Sequence, residues 1–179
     1  MKTAKPTKTN AARLLDSLGI AYEVRTYEVD LNDLSAPTVA NKIGLPVEQV
    51  FKTLLTMAAA APGQRVAPHL FAVIPGNAEL DLKKLAQAAS VKKIEMAALR
   101  DVEPLTGYVR GGVTVMAARS EFPAYVDETI ELYDVIAISA GVRGTQLLLA
   151  PADYLRATGA TIADLTKILR VTPSAEASR

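Results

Sequence analysis

The sequence predicts an α+β domain built round a mixed, largely antiparallel sheet, and three observations lead there. Short apolar runs sit in pairs across turn signals, Val50–Met57 before His69–Ile74 and Val135–Ser139 before Gln146–Ala150, which marks hairpins. Helical stripes fall between these runs irregularly, so a doubly wound parallel sheet fits poorly. The chain has 179 residues, half of them hydrophobic, enough for one well-buried domain and short for two. Residues 10–170 are expected to form that domain, 1–9 a loose arm and 171–179 a disordered tail.

In chain order, Asn10 can cap a helix from Ala11 to Leu18, with Ala11, Leu14, Leu15 and Leu18 as its apolar stripe and Gly19 as its stop. Ile20–Tyr27 alternates like a strand. Ser35 caps a short helix that turns Val39, Ala40 and Ile43 inward and ends at Gly44. After the strand Val50–Met57, residues 58–68 connect it to its partner at His69–Ile74, and Pro75-Gly76 closes the hairpin. Asp81 caps a helix from Leu82 to Ala89, with Lys83 and Lys84 turned to water. Lys92–Met96 is a short strand or connection, and a weak helix near Ala97–Val102 is limited by Pro104. Gly107–Thr114 and Ala140–Gly144 are glycine loops. Phe122–Asp127 is a strand, and Glu128–Leu132 a turn or short helix. Pro151 opens a helix reaching Ala157, and Ile162, Leu165 and Leu169 suit a last amphipathic turn.

Composition removes several kinds of chemistry. Twenty basic against nineteen acidic residues leave a charge of +1, too little to grip long duplexes through bulk electrostatics. The absence of cysteine excludes disulfides, zinc–thiolate sites and a cysteine nucleophile, and makes the cytoplasm the default compartment. No apolar stretch is long enough to span a bilayer. The single histidine, His69, has no serine in a nucleophile-elbow context, and no ligand spacing suits a metal. Neither glycine loop matches a phosphate-binding P-loop.

One residue stands out. Lys52 shares a strand face with Val50 and Leu54, so either its stem snorkels to the sheet edge or its ammonium occupies a partly buried pocket facing an anion. The glycines of Gly111-Gly112-Val113-Thr114 are either ordinary turns or a nest whose backbone N–H groups hold an anion or oxyanion. With Lys52 and Arg143 nearby, such a pocket would take a phosphate and an ester carbonyl.

The ordered set Val50-Phe51-Lys52-Thr53-Leu54, Leu80–Ala86, Lys92–Met96, Thr106–Gly112 and Ser139–Gly144 resembles the YbaK family, freestanding relatives of the prolyl-tRNA synthetase editing domain. The likeness runs from Ala11 to Leu169. It implies a barrel-like mixed sheet flanked by helices, and hydrolysis of the ester joining a wrong amino acid to the tRNA 3′ end, most often Cys-tRNA(Pro), without cofactor or metal. By position, Lys52 matches the family's essential lysine, and Gly111 and Gly112 its glycine loop beside the ester. Tyr27 matches a pocket tyrosine, Asp127 an acid near the amino group, and Ser139 with Gly141 the second loop, while Thr114 and Arg143 complete the expected substrate-binding set. The implied partners are the tRNA acceptor end and prolyl-tRNA synthetase. Val115 stands where the family's loop has proline, which keeps Ala-tRNA(Pro) or another small aminoacyl ester as an alternative substrate. A non-catalytic module binding aminoacyl-tRNA or a nucleotide is the alternative of a different class.

Overall fold

The computed structural model describes residues 7–63 and 68–167, so the expectations for residues 1–6, for the tail and for Leu169 lie outside the described residues. Eight strands form one sheet: β1 (Glu23–Thr26), β2 (Val50–Ala58), β3 (His69–Pro75), β4 (Ile94–Met96), β5 (Ala124–Asp127), β6 (Ile136–Ser139), β7 (Thr145–Leu149) and β8 (Thr161–Ala163). Their order is β1-β7-β6-β2-β3-β5-β8, with β4 also on β2. Both expected hairpins form: β2 pairs antiparallel with β3 from Phe51↔Pro75 to Met57↔His69, and β6 with β7 from Ile136↔Leu149 to Ser139↔Gln146. The sheet is mixed, because β2 with β6, β3 with β5 and β5 with β8 run parallel.

The period of two along each strand divides the interior. Leu70, Ala72 and Ile74 of β3 pack under helix α3 (Leu82–Ala88), together with Leu85. On the same face Val50, Ala137 and Leu148 meet Val39, Ala40 and Ile43 of α2 (Ala36–Ile43). The opposite face carries Phe51, Val73 and Ile138, covered by Leu15 of α1 (Asn10–Ser17) and Tyr154 of α5 (Pro151–Thr158). Each such aliphatic side chain taken out of water contributes about 1.5 to 3 kcal/mol. The remaining helix, α4 (Leu99–Thr106), lies beside the cluster of Leu55, Phe71 and Ala124 through Val102 and Leu105. Among the described residues no helix is long and apolar enough to cross a membrane.

Several expectations are corrected. Thr9, not Asn10, caps α1: its side chain accepts from Ala12 N, and Lys8 pairs with Asp16, so the arm is engaged from Lys8 onward. Pro104 lies inside α4 rather than ending it. Its missing N–H would have bonded the carbonyl of Arg100, an exposed residue whose carbonyl water can serve, and Gly107 ends the helix instead. Lys84 is not simply solvated, since its ammonium bonds Asp164 and the Thr166 carbonyl. The last amphipathic turn is absent within residues 161–167. Gly159 ends α5, Thr161–Ala163 pairs with β5, and Leu165 is buried from an extended segment.

Candidate functional site

The site begins with an interruption in the sheet. One edge of β2 is fully occupied by β3. The other carries β6 only at Val50 and Phe51, and β4 only at Thr56–Ala58. Among the described residues Lys52–Leu55 therefore have no strand partner on that edge, although Ala97 N donates to the Leu55 carbonyl at 3.1 Å. A cleft of about 430 Å³ opens at this gap.

Lys52 lines the cleft and is half-buried between the α2 and α3 clusters, as the shared face with Val50 and Leu54 requires. Its Nζ donates to the Gly76 carbonyl at 3.3 Å, and no ion pair holds it among the described residues. Burial lowers its pKa from the ordinary lysine value, with the charge of Glu79 opposing. The result is a cation with one protein acceptor and donor capacity left over. Gly76 earns its place by close approach: an added Cβ would lie 2.6 Å from Ala36 Cβ and 2.9 Å from the Val50 carbonyl oxygen. This brings Ser35, Ala36 and Pro37, the start of α2, to the cleft wall, with the positive end of the helix toward it.

The glycine loop supplies another part of the wall through Arg110, Gly111 and Val113. Gly111 has φ +87°, and an added Cβ would meet Leu34 Cδ1 at 3.3 Å. The N–H groups of Gly111 and Val113 have no acceptor among the described residues, whereas Gly112 N donates to the Val109 carbonyl at 2.9 Å. Gly112 serves packing instead, its Cα side lying against the backbone of Val142 and Arg143. Of the N–H groups of Gly111, Gly112 and Val113, those of Gly111 and Val113 are left open to a ligand and that of Gly112 is not.

Tyr27 and Ser139 also line the cleft, and Ser139 Oγ accepts from Gly141 N at 3.3 Å. Other expected residues stand behind the walls. Gly141 packs on Tyr108, whose ring would meet an added Cβ at 2.7 Å, and Tyr108 OH donates to the Met116 carbonyl at 2.7 Å. Burial raises the Tyr108 pKa. Arg143 Nε donates to the Arg110 carbonyl at 2.8 Å, holding the loop from its exposed side. Thr114 is fully buried, and its Oγ1 accepts from Met116 N. Val115 packs against the core below Met116 and is not a cleft wall, so the proline-to-valine departure does not alter the cleft surface directly.

Asp127 is the clearest correction. It is 1% exposed, yet its carboxylate is absent from the cleft walls and accepts from Thr129 N, Thr129 Oγ1 and Leu165 N. It caps a 3₁₀ turn and ties down the segment after β8. The sequence reads Gly76 as a turn and Gln146 as the start of an apolar strand, and the structure puts both in the cleft wall. Gln146 is 4% exposed, faces Ser139 across β6 and β7, and buries its Oε1 without a partner. Its signal was polarity, as the lone amide in the run Gln146–Ala150. Thr53, also in the wall, buries an unpartnered Oγ1. Among the described residues no cluster of three or more His, Cys, Asp or Glu could hold a metal.

The family model described as "Aminoacyl-tRNA editing domain" matches residues 34–157. EbsC of Enterococcus faecalis, assigned as a Cys-tRNA(Pro)/Cys-tRNA(Cys) deacylase, is 42% identical over 159 residues, covering 89% of this chain and 93% of that protein. The multifunctional Ser/Thr-tRNA deacylase ProXp-y of Escherichia coli K12 is 30% identical over 95 residues, 52% of this chain and 57% of that protein. Among solved structures, one assigned as a trans-editing enzyme for prolyl-tRNA synthetase superposes with a TM-score of 0.75 at 24% identity, covering 93% of this chain and all of that one, which establishes likeness of fold.

Proposed function

The chain belongs to the aminoacyl-tRNA editing domain family, and from that premise we propose that it acts in trans on mischarged tRNA, hydrolysing Cys-tRNA(Pro). Lys52 carries the reading: a cation with spare donors, set at an interrupted sheet edge in a cleft also lined by Gly111 and Val113, whose backbone N–H groups have no acceptor among the described residues. In this reading Lys52 holds an anionic oxygen of the terminal nucleotides, and Gly111 and Val113 N–H stabilise the oxyanion that forms when the ester carbonyl is attacked. The attacking group is water, giving the free amino acid, or the substrate's own thiol, giving a cyclic thioester that water then opens; as the bond to the ribose oxygen breaks, the attacking group's proton passes to that oxygen and the tRNA leaves with a free hydroxyl. Tyr27 and Ser139 bound the acyl pocket, while Gly112, Gly141, Thr114 and Arg143 fix the loops that present the donors.

No protein nucleophile is required. Holding the reactants in attack geometry can supply effective molarities of about 10⁵ to 10⁸ M, worth about 7 to 11 kcal/mol. An oxyanion donor adds about 3 to 4 kcal/mol. A charge of +1 suits a protein that reads the acceptor end and leaves the tRNA body to a synthetase partner such as prolyl-tRNA synthetase. A second reading keeps the reaction and exchanges cysteine for serine or threonine, favoured by the likeness to ProXp-y.

The test is single-turnover deacylation of tRNA(Pro) charged with cysteine, serine, threonine or alanine. The expected result is fastest release of cysteine and a loss of about 100-fold or more in Lys52→Ala, because a nucleotide end no longer anchored leaves the ester out of attack geometry. Undiminished turnover in Lys52→Ala would overturn the assignment. Preference for a hydroxyl amino acid would move it to the second reading.

A further inference from the structure

We propose that the side-chain amide of Gln146 receives the α-nitrogen of the aminoacyl group, and that the cleft takes this nitrogen uncharged. The inference rests on the cleft being an aminoacyl-ester site and adds how the site reads the acyl group.

Four observations meet here. Gln146 is 4% exposed and in the cleft wall, its Oε1 is buried without a partner, and its Nε2 has none among the described residues. The walls contain Lys52 and Arg110 but no aspartate or glutamate. Asp127, the acid that the resemblance offered for the amino group, lies outside the cleft walls and accepts three hydrogen bonds elsewhere. Ser139, opposite Gln146 in the register, already accepts from Gly141 N and retains its hydroxyl hydrogen for donation.

An ammonium is three donors and a full positive charge. Enclosing it beside two cations, with no carboxylate, leaves its desolvation uncompensated and drives its proton off. A neutral amine donates and accepts, and an amide can answer either need. Every aminoacyl ester carries this nitrogen next to its carbonyl carbon, whatever its side chain, so some group in the cleft must meet it. Gln146 is the buried wall residue with an unanswered amide.

The experiment uses two adenosine probes on the full chain, each with the ester replaced by a stable amide: a 3′-cysteinylamido form, and its counterpart with the α-amine replaced by hydroxyl. Because α-amino groups titrate near 7.7 to 8.0, binding restricted to the neutral form should raise affinity for the amine probe about tenfold from pH 6 to pH 7. The hydroxyl probe should show no such rise. Charged or titratable groups around the amide are Arg25 with its partner Glu23 on β1, Tyr27 just after that strand, Lys52 on β2 with Glu79 behind it, Arg110 in the glycine loop and Arg143 bracing that loop. Their titration affects both probes, so the difference between the probes isolates the amine. Gln146→Glu, which supplies the missing countercharge, should bind the amine probe at pH 6 more tightly than wild type does. Wild-type affinity for the amine probe that is flat or falls across this interval, while binding still depends on Lys52, would overturn the inference and leave the ester site standing. Failure of both probes to bind would overturn the ester site and the inference with it.

Discussion

The corner around Asp127 and the gap beside β2 both place polar atoms inside the protein, and they do so on opposite terms. At the corner, one carboxylate takes three hydrogen bonds from Thr129 and Leu165, and the 3₁₀ turn and the segment after β8 are fixed by it. At the gap, among the described residues, Lys52 donates to a single acceptor, and Gln146 Oε1 and Thr53 Oγ1 have no hydrogen-bond partner. Burial alone does not separate the two, since Asp127 is 1% exposed and Gln146 4%. What separates them is whether the protein itself answers the buried group. A satisfied polar group holds the fold together. An unanswered one, in the wall of a cleft, is available to a substrate.

That contrast can be broken experimentally. The largest effect on stability should come at the corner, where Asp127→Ala strips the partner from three donors. A loss of about 3 kcal/mol or more in urea unfolding is expected from the range for hydrogen bonds to charged groups, with deacylation retained at temperatures where the variant is folded. If Asp127→Ala unfolds like wild type and instead loses amine-probe binding, the two regions have been assigned the wrong way round. Gly76→Ala should cost about 1 to 3 kcal/mol, because the new methyl overlaps Ala36 and the Val50 carbonyl. It should also raise KM by moving the carbonyl that orients Lys52.

The smallest effect should run upward. Desolvation sets the folded-state pKa of Lys52 below its unfolded value, so its charge opposes folding at full strength below the folded pKa, and stability recovers as pH rises through the interval. Lys52→Met should therefore unfold at slightly higher urea than wild type near neutrality, by less than about 1 kcal/mol because the half-buried amine keeps part of its water. The two should converge as pH approaches the ordinary lysine value of about 10.4. A destabilised Lys52→Met would mean that the amine is answered by the protein after all, and belongs with the corner.

Local pattern made much of this visible beforehand. Period-two runs and turn residues located both hairpins, and Asp81 capped α3 through Lys83 N and Lys84 N as its position suggested. The parallel pairings of β2 with β6 and of β5 with β8 join segments far apart in the chain, and no local signal announces them. Ile162 and Leu165 mislead for a related reason: a spacing of three suits a helix, but pairing with β5 beyond Gly159 overrides it. In the site, Lys52 was legible because a charge in an apolar strand is conspicuous. Gln146 was not, since its importance lies in what it fails to touch, and that requires neighbours drawn from three strands. Gly112 and Gly141 stand out by composition and Asp127 by its position in the resemblance, but none of the three lines the cleft, and packing and hydrogen bonding are what each provides.

The stretch of β2 between its two partial partners has a second consequence, although Leu55 O there accepts from Ala97 N. Main-chain groups left open at a strand edge are a template for a foreign strand, and proteins protect such templates with charge, proline or cover. Here Lys52, Pro37 and the loop carrying Arg110 stand at the opening. Whatever loosens that loop should not only slow turnover but also let one molecule recruit another into a continuous intermolecular sheet, so the residues that admit the substrate also keep the protein from aggregating.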